Sequence, residues 1–194
     1  MVCGKCYNKL MDSNVINYQK LYQLSENATP LIYDCGELCG RLCCQPGKNT
    51  NLGMYLYPGE EIMFTGREDW LEWEQREPAD DYFPLSWGKP LYFVSCTKPC
   101  PRANRPLSCR FFPLAPHILS DNTILLIHET MQLHYKCPLI TQDKPLESDF
   151  IQMVGQCWRI LLKDHRIRDL VILDSKDREL SNLQPRIVGT VSDT

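Results

Sequence analysis

The sequence predicts an α+β fold, a single domain of several helices and a small sheet with a loop-rich cysteine metal centre. Three observations predict it. The chain has 194 residues, 43% hydrophobic and 23% charged, which is the length and balance of one globular domain. Short apolar runs of strand length occur among segments whose apolar residues recur at helical spacing. There is no internal repeat and no clear linker, so residues 1–194 are assigned to one domain.

The first half of the chain predicts two or three helices and one strand. Asp12 or Ser13 is a candidate cap for a helix that ends before residues 27–30. Residues 54–57 read as a short strand, and residues 58–61 begin a helical stretch with carboxylates in its first turn. A further acidic and aromatic helix is predicted from Arg67 to Arg76. The apolar face of the first helix is formed by Val15, Ile16, Tyr18, Leu21, Tyr22 and Leu24.

The second half predicts strands first and helices later. Residues 91–94 and 123–127 are short apolar runs, and the latter is the best strand of the sequence. Residues 137–139 are assigned to a loop. A helix is predicted from Ser148, and residues 170–173 form either a strand or a helix followed by a polar tail. One stripe of the helix from Ser148 carries Phe150, Val154, Cys157, Trp158 and Leu161.

Charge and cysteine content limit the kind of protein this is. The net charge is -3 and the pI about 5.8, which does not favour a nucleic-acid partner. No segment has the length of a signal peptide core or a membrane span, so we expect a cytoplasmic protein with no membrane partner. The cytosol keeps thiols reduced. Eleven cysteines, an odd and high number, therefore indicate metal or redox chemistry rather than disulfides.

The first cysteine cluster (residues 35–44) contains Cys35, Cys39, Cys43 and Cys44. In a straight helix, the first three would line one face, with the outer two about 12 Å apart at ~1.5 Å rise per residue. One zinc ion with Zn–S bonds of ~2.3 Å cannot span that distance. Either Gly36 and Gly40 bend the segment, or the centre is wider than one ion.

The second cysteine cluster (residues 96–109) contains Cys96, Cys100 and Cys109, separated by prolines that oppose regular helix or central strand. Such loops can direct several thiols at one centre. Thiolates around a divalent ion leave negative charge, which nearby guanidinium groups would offset. The candidates for this are Arg102, Arg105 and Arg110.

The run Cys-x-x-x-Cys-x-x-x-Cys-Cys and the later Arg-Pro-Leu-Ser-Cys-Arg-Phe-Phe-Pro-Leu resemble the cysteine-cluster family of zinc- or iron-chelating domain proteins. Relatives in that family include the flagellin lysine N-methylases. The resemblance covers about residues 31–140 and leaves a C-terminal helical part, residues 146–194. The gap before Cys43 is three residues here and usually two in the family. The residues that match the family pattern are Cys43, Cys44, Cys96, Cys100, Cys109, Arg110 and Pro113, with Cys137 as a further family cysteine.

The resemblance and the two clusters together predict a cysteine-ligated metal centre. Thiolates select zinc, copper(I) or iron–sulfur clusters over hard cations. We expect zinc or iron, as a mononuclear site, a binuclear site or an iron–sulfur cluster, and no catalytic residue or other cofactor is assigned. By resemblance alone, the alternative is a metal-dependent protein-modifying enzyme such as a lysine N-methylase-like methyltransferase. Redox sensing by Cys43 and Cys44 is a third hypothesis, and a protein partner is left open. The predicted metal ligands are Cys35, Cys39, Cys43, Cys44, Cys96, Cys100, Cys109 and Cys137.

The sequence also contains cysteines, histidines and acidic residues outside the two cysteine clusters. Cys3 and Cys6 have the spacing of half a zinc site or a redox pair. Cys157 is predicted to be a core residue. No histidine pair has metal-binding spacing. His117 and His134 are therefore candidates only as additional ligands. The paired carboxylates suit acid–base chemistry or simple solvation equally well, and they are Glu60, Glu61, Asp80 and Asp81.

Overall fold

The part of the chain that the structure describes forms two antiparallel sheets of three strands each, and helices pack against them. The predicted α+β class is confirmed in this computed structural model. The predicted cap residues, Asp12 and Ser13, lie outside the described residues. The structure describes residues 16–44, 53–79, 81–88, 90–133, 135–142 and 144–191.

The first sheet contains the strands β1 (Gly53–Tyr55), β2 (Leu71–Arg76) and β3 (Leu91–Cys96), in the order β1-β3-β2. The register pairs Met54 with Val94, and Leu71 with Cys96. This pairing sets β1 beside the end of β3, where the second cysteine cluster begins. The predicted strands at 54–57 and 91–94 are confirmed with slightly different bounds.

The helix predicted from Arg67 to Arg76 is wrong, because residues 71–76 form β2. Leu71 is buried, whereas Glu72 and Glu74 are exposed, which is the alternation of a half-buried strand. The ring of Trp73 packs edge-on against neighbouring aromatic rings, which stabilises a pleated surface better than a helix. The sequence predicted a helix here because the acidic residues between the apolar ones also fit the solvent-exposed face of a helix.

The second sheet contains β4 (Leu114–Ile118), β5 (Ile124–His128) and β6 (Ile187–Thr190), in the order β4-β5-β6. The strand predicted at 123–127 is confirmed as β5, whereas β4 was not predicted. Pro116 lies inside β4, and proline is tolerated there because β4 is an edge strand. A helix covers that edge, since the amide of Ile118 donates to Ser175 Oγ at 2.9 Å.

The helices are α1 (Tyr18–Leu24), α2 (Leu107–Phe111), α3 (Pro138–Thr141), α4 (Ser148–Leu161) and α5 (His165–Leu180). The buried stripe predicted on α4 is confirmed. The open choice at residues 170–173 resolves to helix, since they lie within α5, and β6 follows. Within the part of the chain that the structure describes, no helix has both the length and the apolarity required to cross a bilayer.

The main core lies between α4, α5 and the second sheet, and α2 is anchored in it. Leu107 and Phe111, at the two ends of α2, are 0% and 1% exposed. Trp158 of α4 packs against the rings of Phe111 and Tyr57. Because both ends of α2 are held in the core, the position of Cys109 between them is fixed by packing.

Asp174 of α5 makes the stability depend on pH. Burial raises the pKa of Asp174 from 3.8 to about 6, with Glu129 and Asp177 adding to the rise and Arg178 opposing it. The folded state therefore binds more protons than the unfolded state between these values, so stability falls as the pH rises through this interval. We expect Asp174→Asn to remove this slope and to stabilise the protein near neutral pH by about 1–2 kcal/mol.

Urea unfolding at about pH 4 and about pH 7 checks this expectation. The exposed Asp177→Asn is the control and should leave the slope in place. If Asp174→Asn instead destabilises the protein at neutral pH, the attraction between Asp174 and Arg178 outweighs the cost of burial and the expectation is wrong.

Candidate metal centre

The first cysteine cluster bends sharply and is not one helix. It consists of two short 3-10 helices, Cys35–Leu38 and Leu42–Cys44. Between them, Gly40 and Arg41 both have φ of 62°, a left-handed conformation that glycine adopts without strain. The amide of Arg41 donates to the carbonyl of Gly36 at 2.9 Å, which closes the bend. The bend that the sequence offered as one alternative is therefore present, at Gly40 and Arg41.

The second cysteine cluster runs from the end of β3 to the middle of α2. Cys96 is the last residue of β3, and Cys100 follows in a segment without regular secondary structure. Residues 107–109 are helical, so the prediction of no regular helix across 96–109 is wrong at its C-terminal end. The reason is that Pro106 is the last proline of the run and caps α2, a place where its missing N–H is not needed.

The two clusters meet through their sulfur atoms. Cys43 Sγ and Cys44 Sγ lie 3.7 Å apart. The thiol of Cys100 lies close enough to the thiols of Cys44 and Cys96 to shift the pKa of all three. Four thiols from segments about fifty residues apart in sequence therefore form one continuous chain of contacts.

Cys43 lies at the middle of the predicted ligands. Its thiol is close enough to those of Cys35, Cys109 and Cys137 to raise the pKa of each. The negative charge of Cys100 acts to raise the pKa of Cys43, but the other neighbours lower it by more, so the pKa of Cys43 is lowered overall. Cys43 thus connects the chain of thiol contacts to the rest of the predicted ligand set.

Three further predicted ligands, Cys35, Cys39 and Cys137, lie near one another. Cys137 and Cys35 belong to a small apolar cluster with Leu31 and Leu139. Cys137 itself precedes the helix, in keeping with the predicted loop, whereas the loop prediction is wrong for residues 138–139, which begin α3. Cys39 follows the first 3-10 helix and adds to the negative field at Cys137.

Charge at the centre concentrates on Cys100. The neighbouring thiols of Cys44 and Cys96, together with the guanidinium of Arg105, lower the pKa of the Cys100 thiol. Contact with the Cys44 thiol lowers the pKa of Cys43. Burial raises the pKa of Cys35 to about 11. The surroundings of Cys100 therefore favour its thiolate, the form in which cysteine binds metals.

The three arginines near the clusters have different roles. Arg105 offsets the charge of Cys100 and Cys44, as predicted. Arg110 does not contact sulfur; its Nε donates to the carbonyl of Arg105 at 2.7 Å, and its Nη1 donates to the carbonyl of Tyr22 at 3.2 Å. Arg102 donates to the carbonyl of Ala28 at 3.2 Å. The prediction of charge compensation is therefore wrong for Arg110, which holds the backbone that carries Arg105.

A cavity of about 230 Å³ opens beside the thiols. It gives small ions and molecules access to the exposed Cys43 and to the half-buried Cys35, Cys44 and Cys109. Cys35, Cys43, Cys44 and Cys109 line it, together with Arg105, Glu129, Tyr135 and the methionines Met54 and Met131.

The thioether of Met54 also lies beside the thiols, which the sequence did not predict. The Cys109 thiol donates to Met54 Sδ at 3.0 Å. Methionine has no spacing rule comparable to that of paired cysteines. Its only signal in the sequence is its place in a predicted strand, and the pairing of β1 with β3 brings it to the cysteines.

The donor set suits a soft metal, although the thiols do not form a closed shell. Among the described residues, no three side chains of histidine, cysteine, aspartate or glutamate converge tightly enough to hold an ion. Pairs of thiols are in contact, and the compensating Arg105 is in place. The chemistry of the residues therefore fits zinc, iron or copper, whereas the described thiols lie near one another without surrounding an ion.

The other candidates lie elsewhere. Cys157 is 0% exposed in the core, with its Sγ 3.7 Å from Met153 Sδ, as expected of a core residue. His117 is in β4, with its Nε2 3.9 Å from a carboxylate oxygen of Glu179. Glu60 is fully buried, and Asp81 pairs with Arg76 at 3.4 Å. Four candidates lie outside the described residues, namely Cys3, Cys6, Asp80 and His134.

Comparison with known proteins identifies no relative. No family model, curated protein or solved structure matches this chain. The case for a metal centre therefore depends on the thiols and their surroundings.

Proposed function

We propose that this chain is a metal-binding protein whose centre is held by cysteine thiolates, with zinc or iron as the metal. The observation that carries the proposal is the chain of contacts from Cys43 through Cys44 and Cys100 to Cys96. It joins two cysteine clusters that are far apart in sequence. Packing alone does not require thiols from distant segments to meet sulfur to sulfur.

The oxidation state of the cysteines supports the proposal. All nine cysteines in the described residues are free, although several are in contact with one another. Structural disulfides are thus absent from the part of the chain where thiols are densest. Free thiols in contact are available as thiolates, which prefer zinc, copper(I) and iron–sulfur clusters to hard cations.

The charge balance also supports it. A divalent ion with several thiolates carries net negative charge, and guanidinium groups that hydrogen bond to sulfur stabilise such a centre. Arg105 occupies this position beside Cys100. Arg110 in turn fixes the carbonyl of Arg105 and stacks on the ring of Tyr22 at 4.2 Å, so the compensating charge is anchored to α1.

The number of thiols suits more than one ion or a cluster. The four thiols in the chain of contacts form one group, and Cys35 and Cys137 share a separate apolar cluster, with Cys39 near enough to raise the pKa of Cys137. A mononuclear tetrahedral site takes about four ligands. Two ions, or an iron–sulfur cluster with extra thiols nearby, would use the set more fully.

Elemental analysis of full-length protein purified with and without oxygen tests the proposal. We expect zinc in a colourless protein, or iron in a brown one that loses colour in air. Cys44→Ser and Cys96→Ser should each reduce the metal content, because the two residues come from different clusters of one site. Cys157→Ala, in the core, is the control and should retain the metal.

Two results would count against the proposal. A protein without metal in both preparations contradicts metal binding itself. Loss of metal in only one of the two serine variants contradicts a site shared by both clusters. The methyltransferase alternative rests on the resemblance alone, and metal binding does not depend on it.

A further inference from the structure

Met54 brings a thioether to the cysteine thiols. It lies in β1, half-buried, with its Sδ 3.0 Å from Cys109 Sγ. Its side chain also packs in the apolar cluster that includes Cys96 and Cys100. It therefore contacts Cys109 directly and packs on the same buried residues as Cys96 and Cys100.

The backbone of β1 is held close to β3 at this point. Met54 pairs with Val94, two residues before Cys96. A Cβ atom on the preceding Gly53 would lie 2.3 Å from the ring of Phe93, so only glycine permits this approach without displacement of the ring. The close pairing of β1 with β3 sets the position of the Met54 thioether relative to Cys96.

The sulfur of Met54 faces an accessible space. Met54 and Cys109 line the cavity of about 230 Å³ together with Cys35, Cys43 and Cys44. Met131, which is 66% exposed, lies on the same cavity and supplies a second thioether where solvent enters. An entering soft ion therefore meets thioether and thiol sulfur on the same cavity wall.

We propose that this site also binds copper(I), with Met54 and Cys109 among its ligands. Thiolate and thioether together are the ligand set that copper(I) prefers. Zinc is bound through cysteine, histidine and carboxylate, so the thioether discriminates between the two ions. The inference rests on the proposed function in one respect, that the thiols are free to bind metal.

An ordinary packing role for Met54 leads to a different result in the same experiment. Methionine fills irregular gaps, and leucine replaces it at a cost of usually less than about 1.5 kcal/mol. If Met54 only packs, Met54→Leu leaves metal binding unchanged. If it is a ligand, the variant keeps the fold and loses copper(I) affinity.

The test uses the full-length chain, reduced and without oxygen, titrated with copper(I) in competition with a chromogenic copper(I) chelator. We expect Met54→Leu to weaken copper(I) binding by about tenfold or more, as for loss of a ligand or its support. Its zinc affinity, measured with a zinc chelator, should stay close to that of the wild type. Met63→Leu is the matched control, because Met63 is also half-buried but lies away from the cavity.

A second measurement avoids substitution altogether. In protein labelled with selenomethionine, X-ray absorption at the copper edge should detect selenium next to copper(I). Unchanged copper(I) affinity in Met54→Leu, or copper without a selenium neighbour, overturns the role of Met54. Binding of zinc or iron but not copper(I) overturns this inference and leaves the proposed function intact, whereas failure to bind any of the three ions contradicts the proposed function.

Discussion

Replacement of Glu60 by alanine is expected to destabilise the protein by about 3–5 kcal/mol, the largest stability effect that we predict for a single side chain. Glu60 is 0% exposed and accepts three hydrogen bonds. The donors are the hydroxyl of Tyr22 at 2.9 Å, the amide of Tyr57 at 2.9 Å and the amide of Leu107 at 2.7 Å. Alanine would leave all three donors buried without an acceptor.

The position of Glu60 explains why the cost extends beyond local packing. Its partners belong to α1, to the segment after β1 and to the first residue of α2. One carboxylate thus joins three elements of different parts of the chain. Burial raises the pKa of Glu60 in spite of its three donors, so part of its hydrogen-bond energy is offset by desolvation.

Two further variants separate the hydrogen bonds from the side-chain volume. Glu60→Gln keeps the size but replaces one acceptor by an amide donor, so we expect a smaller loss of about 1–3 kcal/mol. Glu61→Gln changes the neighbouring, only partly buried carboxylate and should cost less than about 0.5 kcal/mol. Urea unfolding measures all three. A loss below about 1 kcal/mol for Glu60→Ala would mean that water replaces the carboxylate.

The role of Glu60 marks the limit of what the sequence could predict. Glu60 and Glu61 are adjacent carboxylates at the start of a short helix, and the sequence explains both equally well by solvation at a helix start. The difference between them arises from tertiary contacts of Glu60 with Tyr22 and Leu107, 38 and 47 residues away. No local pattern indicates which of two neighbouring carboxylates is buried.

The fold was predicted best where one periodicity dominates. The apolar stripe of α4 and the apolar run of β5 both gave the correct element. Residues 71–76 were misassigned, because charged residues alternate with aromatic ones there and the partner strand β3 decides the outcome. β4 was missed since Pro116 argues against a strand, and only its place at a covered sheet edge permits it.

The sequence predicted which residues form the candidate site better than it predicted how they are arranged in space. The spacing of the cysteines indicated the two clusters. It also made a bend at Gly40 one of two alternatives, and the structure has a left-handed backbone conformation at that residue. Spacing could not show that Arg105, rather than Arg110, faces the thiols, nor that Met54 joins them. Those facts depend on how β1, β3 and α2 pack together.

Cys100 is expected to be the thiol whose loss weakens metal binding most. It is the only one in the chain of contacts, as the structure describes it, whose pKa is lowered by two neighbouring thiols and a guanidinium. We expect Cys100→Ala to lower the affinity for the bound metal, zinc or iron, by more than about 100-fold. That exceeds the ~10–100-fold typical for loss of a group that only supports a ligand.

Arg105→Gln provides the comparison that makes this expectation specific. It removes the compensating charge but keeps all the thiols, so its effect should fall within about 10–100-fold and below that of Cys100→Ala. Competition with a metal chelator under anaerobic conditions measures both, with Cys157→Ala as the control for loss of a thiol from the core. If Arg105→Gln weakens binding more than Cys100→Ala, the guanidinium contributes more than this thiolate, and Cys100 is not the principal ligand. If both variants bind as the wild type does, the thiolate beside Arg105 belongs to the packing of the protein and not to its metal centre.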